Sequence, residues 1–554
     1  MPGLEDLRQR AAQLSISLST EDCCTRLSEY VPTTFSFSEM LGLTRTVKLN
    51  EDPLSTLVAT AACLQHVDRL QTDADDPSTA RELASWIARS IAPINRLGKE
   101  KDEDGGFLSG YGGATDEDPY DQVVNRCLAT IELGLYALTQ LWNRASKSRD
   151  DILDTDGLVT LIALSDTSES WTTPTTASLA SHLLEQQLAT LDITTFLVES
   201  ILKGYLQTLF SKSRPAGVTA SGRKAEFPDD DLDRKQGLPD DSRQTKPWKY
   251  EDLRSIPVLA WAISQADENL PWPLYIPPLL TLLDDPLTRI RSRGLRLTTS
   301  FLSKFPASKL RSTGLAPVFE DAISPTLSYL PSLTPEAESI ALLDPAFDAL
   351  LVLASRLAEE APEDGRVVEE DGGGKEARRL LDRVMRRGVL TAYFHCPEYP
   401  GVVEVLMRKT RDVVRAMGVG AVKHLKDLVP VFRGVMTDPF AYGRPDTLMQ
   451  GVRALQVVIE NCWPRLVEGV WAEEMLGMVV VAWVHLLDQG GGGMKGAGGK
   501  EDIEGIRGEL RKTAAMLAAV AKAGGIDLAE KVKLLVAKEP ALAELFGLSE
   551  VSVG

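Results

Sequence analysis

Residues 277–291 read Pro277-Pro278-Leu279-Leu280-Thr281-Leu282-Leu283-Asp284-Asp285-Pro286-Leu287-Thr288-Arg289-Ile290-Arg291. A leucine-rich run ends at an Asp-Pro step, and an aliphatic–arginine pair follows five and six positions after Asp285. From there Ile290, Gly294, Leu297, Phe301 and Phe305 step by 4, 3, 4 and 4, which places them on one face of a helix. Arg289, Arg293, Arg296 and Ser303 fall on the other side. The stretch therefore predicts two helices joined by a tight turn, with an apolar face that one unit cannot bury alone.

Working outward, similar amphipathic runs recur at 54–70, 122–142, 177–210, 377–391, 402–416, 420–435, 447–462, 467–487, 508–523 and 527–546. Asp-Pro occurs at 52–53, 76–77, 118–119, 285–286, 344–345 and 438–439. Aspartate can accept from free N–H groups at a helix start, and proline is pre-set for the first helical position. These steps accordingly read as helix starts after short turns. The order of leucine-rich helix, Asp-Pro turn, aliphatic–arginine pair and second helix resembles a HEAT repeat. In that family the Asp and Arg of successive repeats tend to pair, which would make Asp285 and Arg291 a repeat junction. A weaker unit follows Leu425 to Val435, with Asp438-Pro439 and Arg444, but Gly443 replaces the aliphatic residue. No strict period runs through the chain. The expected fold class is all-α, with degenerate HEAT-like helical repeats forming an α-solenoid interrupted by several disordered loops.

The composition agrees. The chain has 554 residues, of which 44% are apolar and only 6% aromatic, so helices packed on helices are favoured over an aromatic-rich sandwich. Four stretches are too poor in apolar residues to offset the entropy of ordering and read as mobile loops: 99–121, 213–247, 360–376 and 489–505. The expected layout is a helical region over 1–212, an acidic flexible linker over 213–247 and a HEAT-like region over 248–488. A Gly-rich loop over 489–505 and C-terminal helices over 506–554 complete it.

The formal net charge of -19 opposes nucleic acid as a partner. Met1 to Arg10 is charged and shows no secretory signal, and the apolar run Met478 to Leu487 is about half a bilayer span, so no membrane is expected. Six scattered cysteines without a metal-type spacing read as reduced thiols of a cytoplasmic protein, with the nucleus also open to it.

No catalytic, cofactor or metal site emerges. The five histidines (66, 182, 395, 424 and 485) lack ligand spacing, and adjacent His395 and Cys396 would face apart on a helix. Around Gly499-Lys500 and Gly374-Lys375 a phosphate loop fails at both its first glycine and its hydroxyl position. Basic residues cluster at Arg289, Arg291, Arg293 and Arg296; at Arg378, Arg379, Arg383, Arg386 and Arg387; and at Arg408, Lys409, Arg411 and Arg415. They fit solvated faces paired with the surplus acids, or docking surface for an acidic protein segment.

From Trp248 to about residue 470 a further likeness is carried by several pieces in order. They are Leu283-Asp284-Asp285, Arg311-Ser312-Thr313-Gly314-Leu315, Val318-Phe319 with Asp321-Ala322, and Leu330-Pro331 with Leu333-Thr334-Pro335. Val422-Lys423-His424-Leu425-Lys426, Asp438-Pro439-Phe440 and Cys462-Trp463-Pro464-Arg465 follow. Together they resemble the fungal branch of the Tel-two-interacting protein two family. That resemblance implies a non-enzymatic subunit of the TTT co-chaperone complex. Such a subunit binds a longer HEAT-repeat subunit and the third member. With the ninety-kilodalton heat-shock chaperone machinery, the complex matures and stabilises PI-3-kinase-related kinases. Candidate partner-binding residues are Phe440, Tyr442 and Trp463, with Arg291 and Arg311 as charge partners. A solenoid adaptor or transport-type protein carrying other cargo peptides is the alternative.

Overall fold

The computed structural model describes residues 3–13, 20–45, 53–71, 76–93, 119–145, 152–213, 244–267, 271–359, 372–439, 443–467, 471–490, 500–526 and 528–548. Among these the architecture is all-α, apart from the two-residue parallel strands Phe35–Ser36 and Leu70–Gln71. The chain forms two compact units. One takes Met1–Ala216 and Phe227–Pro278, the other Gly217–Glu226 and Leu279–Gly554.

In the first unit the most apolar helices are central. Leu54–Gln65 buries every residue from Thr56 to Leu64 and packs against Leu4–Ala11, Thr20–Leu27 and Pro119–Ala145. Thr155–Leu164 is likewise sunk among Asp76–Ser90, Pro174–Leu188 and Ser255–Ser264. Its start is fixed by Asp154, whose carboxylate accepts from the Gly157 N–H at 2.8 Å, satisfying a donor that the first turn leaves open. Arg254 then bridges this helix to the 251–254 turn. It pairs with Asp156 at 2.9 Å and Asp252 at 2.8 Å, and donates to the Thr160 hydroxyl at 2.8 Å. Burial opposes the charge on Asp252, but the bonds and charge of Arg254 outweigh it and hold the carboxyl below its usual range.

The stretch 213–247 does not separate two units. Trp248 stacks on Phe210 at 5.2 Å between ring centroids, and its Nε1 donates to the Ser213 hydroxyl at 3.1 Å. The chain thus returns to the point it left, and residues 248–278 pack with the N-terminal helices, placing the boundary at Pro278. The reason is the apolar surface of Trp248 and Ser255–Ser264, which finds its complement in Phe210 and Thr155–Leu164.

The second unit stacks helical hairpins in two layers. Thr288–Lys304, Glu336–Ala358, Pro400–Met417, Pro445–Leu466 and Lys500–Ala523 lie side by side as the second helices. The first helices include Leu315–Ile323, the continuous run Gly372–Arg383, Val384–Leu390 and Thr391–His395, then Leu425–Met436 and Trp471–Gly490. The face read from the sequence is the buried one: Ile290, Gly294, Leu297, Phe301 and Phe305 all lie in the core. Gly294 lets the hairpin close, because a Cβ there would sit 2.8 Å from Leu282 Cβ.

Three local readings are corrected. Asp344-Pro345 does not start a helix; Pro345 lies inside Glu336–Ala358. Proline removes the N–H that would bond the Ala341 carbonyl, and the buried Ser292 hydroxyl on Thr288–Lys304 donates to that carbonyl instead, at 2.8 Å. Helices also reach into the expected loops, beginning at Gly372 and Lys500. The run 527–546 breaks into Ala529–Lys538 and Leu542–Leu545, with Pro540 between them.

Candidate partner-docking surface

At the 285–291 turn, the Asp285 carboxylate accepts from the Leu287 N–H at 3.0 Å, holding the chain two residues ahead of the helix Thr288–Lys304. Arg291 is only 8% exposed. Its Nε donates to the Asp285 carbonyl at 3.1 Å, and its guanidinium lies 4.6 Å from the Tyr329 ring centroid. Where a HEAT-like Asp–Arg pairing was expected, Arg291 makes a main-chain bond within its own turn. The junction to the following hairpin is a cation–π contact. Buried in this way, Arg291 is part of the frame rather than of a surface.

Polar links between neighbouring second helices run elsewhere. Lys409, its side chain 5% exposed, sits between Asp344 at 2.9 Å and Asp348 at 2.5 Å, while Arg408 reaches Asp344 at 2.8 Å. Gln456 donates to the Thr513 hydroxyl at 3.1 Å and to the Glu509 carboxylate at 2.8 Å. Asp382, on Gly372–Arg383, accepts from Lys423 at 2.5 Å and meets His424 at 3.0 Å, both on the 3-10 turn Gly418–His424 that leads into Leu425–Met436. Burial works against its charge, yet these two partners hold its carboxyl below the ordinary range. The sequence placed Lys409 in a basic cluster but gave no sign of its aspartates, which lie a whole hairpin away.

The other expected contacts scatter. Arg311 donates to the Glu359 carbonyl at 2.6 Å, closing the end of Glu336–Ala358. Trp463, on Pro445–Leu466, is 50% exposed. Phe440 and Tyr442 lie outside the described residues. Among the described residues no hydrogen bond or ring contact joins Arg291, Arg311 and Trp463. Phe394, 79% exposed and edge-on to His395 at 5.4 Å, is an aromatic that the sequence reading passed over.

Cys396 is buried, its thiol donates to the Ala392 carbonyl at 2.9 Å, and burial pushes its pKa up to about 11. A thiol held protonated in this way is a poor nucleophile. Among the described residues no cluster of His, Cys, Asp and Glu is placed to hold a metal ion, and no helix is long and apolar enough to cross a membrane.

The model of the Tti2 family matches residues 157–442. The chain belongs to the Tti2 family. The match starts well ahead of Trp248, where the likeness was first read, and so takes in helices of the first unit from Thr155–Leu164 onward. No curated protein and no solved structure matches. Membership of the Tti2 family implies a subunit of the TTT co-chaperone complex, within a family of scaffolds. Stacked hairpins suit that work, since each adds exposed helix surface to an already folded neighbour.

Proposed function

We propose that this chain is a non-enzymatic scaffold subunit of the TTT co-chaperone complex that binds the long HEAT-repeat subunit and, with it, the third member. Through that assembly it supports the maturation and stability of PI-3-kinase-related kinases, in cooperation with the ninety-kilodalton heat-shock chaperone machinery. The cytoplasm is its main compartment, with the nucleus as a second. The observation that carries this reading is the Tti2 family match over 157–442. The exposed Trp463 supports it, because aromatic side chains of this kind commonly anchor protein interfaces.

The test is recovery of the tagged full chain from its own cells, with mass spectrometry of what accompanies it. The two other subunits should come down in amounts comparable to the bait. A mixed set of cargo proteins without either subunit would overturn the reading.

A further inference from the structure

The run Gly372–Arg383, Val384–Leu390 and Thr391–His395 has an unusual period. Its buried residues pair up four apart: Leu380 and Leu381, Val384 and Met385, Gly388 and Val389, then Ala392 and Cys396. In an α-helix, a four-residue step overshoots a full turn by about 40°, so such a pattern would wind off the core. Val384–Leu390 is π-helical, and its wider turns absorb that drift. Gly388 keeps the widened segment close to Glu336–Ala358, since a Cβ there would lie 2.9 Å from Phe347 Cζ. The same correction acts on the opposite face. It aligns Arg379, Arg383, Arg387 and then Thr391 and His395, with Arg378, Arg386 and Phe394 beside them.

This stripe is basic in a chain of net charge -19. Between Lys375 and Arg387 the acids are Glu376 and Asp382, and Asp382 is engaged by Lys423 and His424. Arg383 is held by both oxygens of Glu320, at 2.5 and 2.6 Å, which pins the middle of the stripe to Leu315–Ile323. Arg379, Arg386 and Arg387 are exposed, and among the described residues their guanidinium groups make no ion pair or hydrogen bond. Arg387 also lines a cleft of about 250 Å³ with Asp321, Ser324 and Ser328. Phe394 stands at the far end, almost fully in solvent.

We propose that this stripe docks an extended acidic segment of a partner protein, one carrying an apolar side chain a few residues beyond its acidic run. Arg379, Arg386 and Arg387 take the carboxylates or phosphates, and Phe394 takes the apolar residue. The helix rises about 1.5 Å per residue, so Arg387 and Phe394 are separated by about 10 Å, or about three residues of extended peptide. The same reckoning from Arg379 gives about 22 Å, room for about seven residues. Free guanidinium groups suit this chemistry, because they can meet carboxylate or phosphate oxygens two at a time. The assignment holds for whichever protein carries the segment and does not rest on the complex named above.

The probe is a fluorescent synthetic peptide with a run of glutamates followed three residues on by leucine, titrated into the full chain. Binding should weaken steeply with added salt, and replacing the leucine by serine should reduce it. The triple variant Arg379→Glu, Arg386→Glu, Arg387→Glu should bind at least about tenfold more weakly while keeping its melting temperature, since all three side chains are in solvent. Phe394→Ser should weaken the leucine peptide and leave the serine peptide unchanged. Equal binding by the triple variant and the parent would overturn the proposal. So would capture of anionic phospholipid vesicles, lost in the triple variant, with no binding of the peptide. Tighter peptide binding by a chain lacking residues 363–371 would assign the stripe to this chain's own acidic run and overturn a partner's role.

Discussion

Ser292 makes good the hydrogen bond that Pro345 removes. Its hydroxyl, on one second helix, donates to the Ala341 carbonyl on the next at 2.8 Å, where the proline has no N–H to offer. Two hairpins are thereby tied at a point where an ordinary helix would satisfy itself. Ser292→Ala should remove this helix-to-helix bond and cost about 1 kcal/mol, read as a lower urea midpoint at unchanged slope. Adding Pro345→Ala restores the N–H, so the double variant should be less destabilised than Ser292→Ala alone. Strictly additive effects would show that the two residues are not coupled.

Hairpin closure at Gly294 gives a second expectation. A Cβ at this position meets Leu282 Cβ at 2.8 Å and its carbonyl carbon at 3.1 Å, so backbone as well as side chain must move. Gly294→Ala should destabilise by about 1–3 kcal/mol despite the better helix propensity of alanine. Thermal unfolding followed by circular dichroism would detect it, and a stabilised variant would contradict the close approach.

A pH dependence follows from Asp252 and Arg254. The folded-state pKa of Asp252 lies below its unfolded value, so the stability this pair contributes is full above about pH 4 and lost as pH falls through the depressed value. Asp252→Asn should lower stability at neutral pH and flatten the decline below about pH 4. Arg254→Met, which strands Asp252 in a poorly solvated turn, should cost about 3 kcal/mol. An unchanged acid limb in Asp252→Asn would remove the pair from the account.

The contact of Ser213 and Phe210 with Trp248 bears on the acidic stretch between them. Because its two ends already meet, replacing residues 217–244 by a short Gly/Ser bridge should leave the melting temperature nearly unchanged. Loss of several degrees would mean that this stretch contributes packing of its own.

Much of the fold was legible because helical periodicity is a local property. The spacing of Ile290, Gly294, Leu297, Phe301 and Phe305 identified the buried face directly. What stayed hidden depends on residues far apart in sequence. Asp344-Pro345 has the local signature of a helix start, and only Ser292, across the hairpin interface, makes the proline tolerable within a helix. Arg291 has the spacing of a ladder arginine, yet Tyr329 and the Asp285 carbonyl claim it. Lys409 was visible as one basic residue among several, whereas its burial between Asp344 and Asp348 is set by how two helices pack. The π-helical widening at Val384–Leu390 has no residue signature of its own, although the four-residue spacing of apolar pairs there was open to view.

The central claim is that this chain works by holding the long HEAT-repeat subunit, and sedimentation of the two purified full-length proteins tests it most directly. Mixed at micromolar concentration, they should move as one faster species of defined stoichiometry, and the His395→Ala and Cys396→Ala variants should behave as the parent does. Two species sedimenting independently, with the chain folded by circular dichroism, would contradict the account.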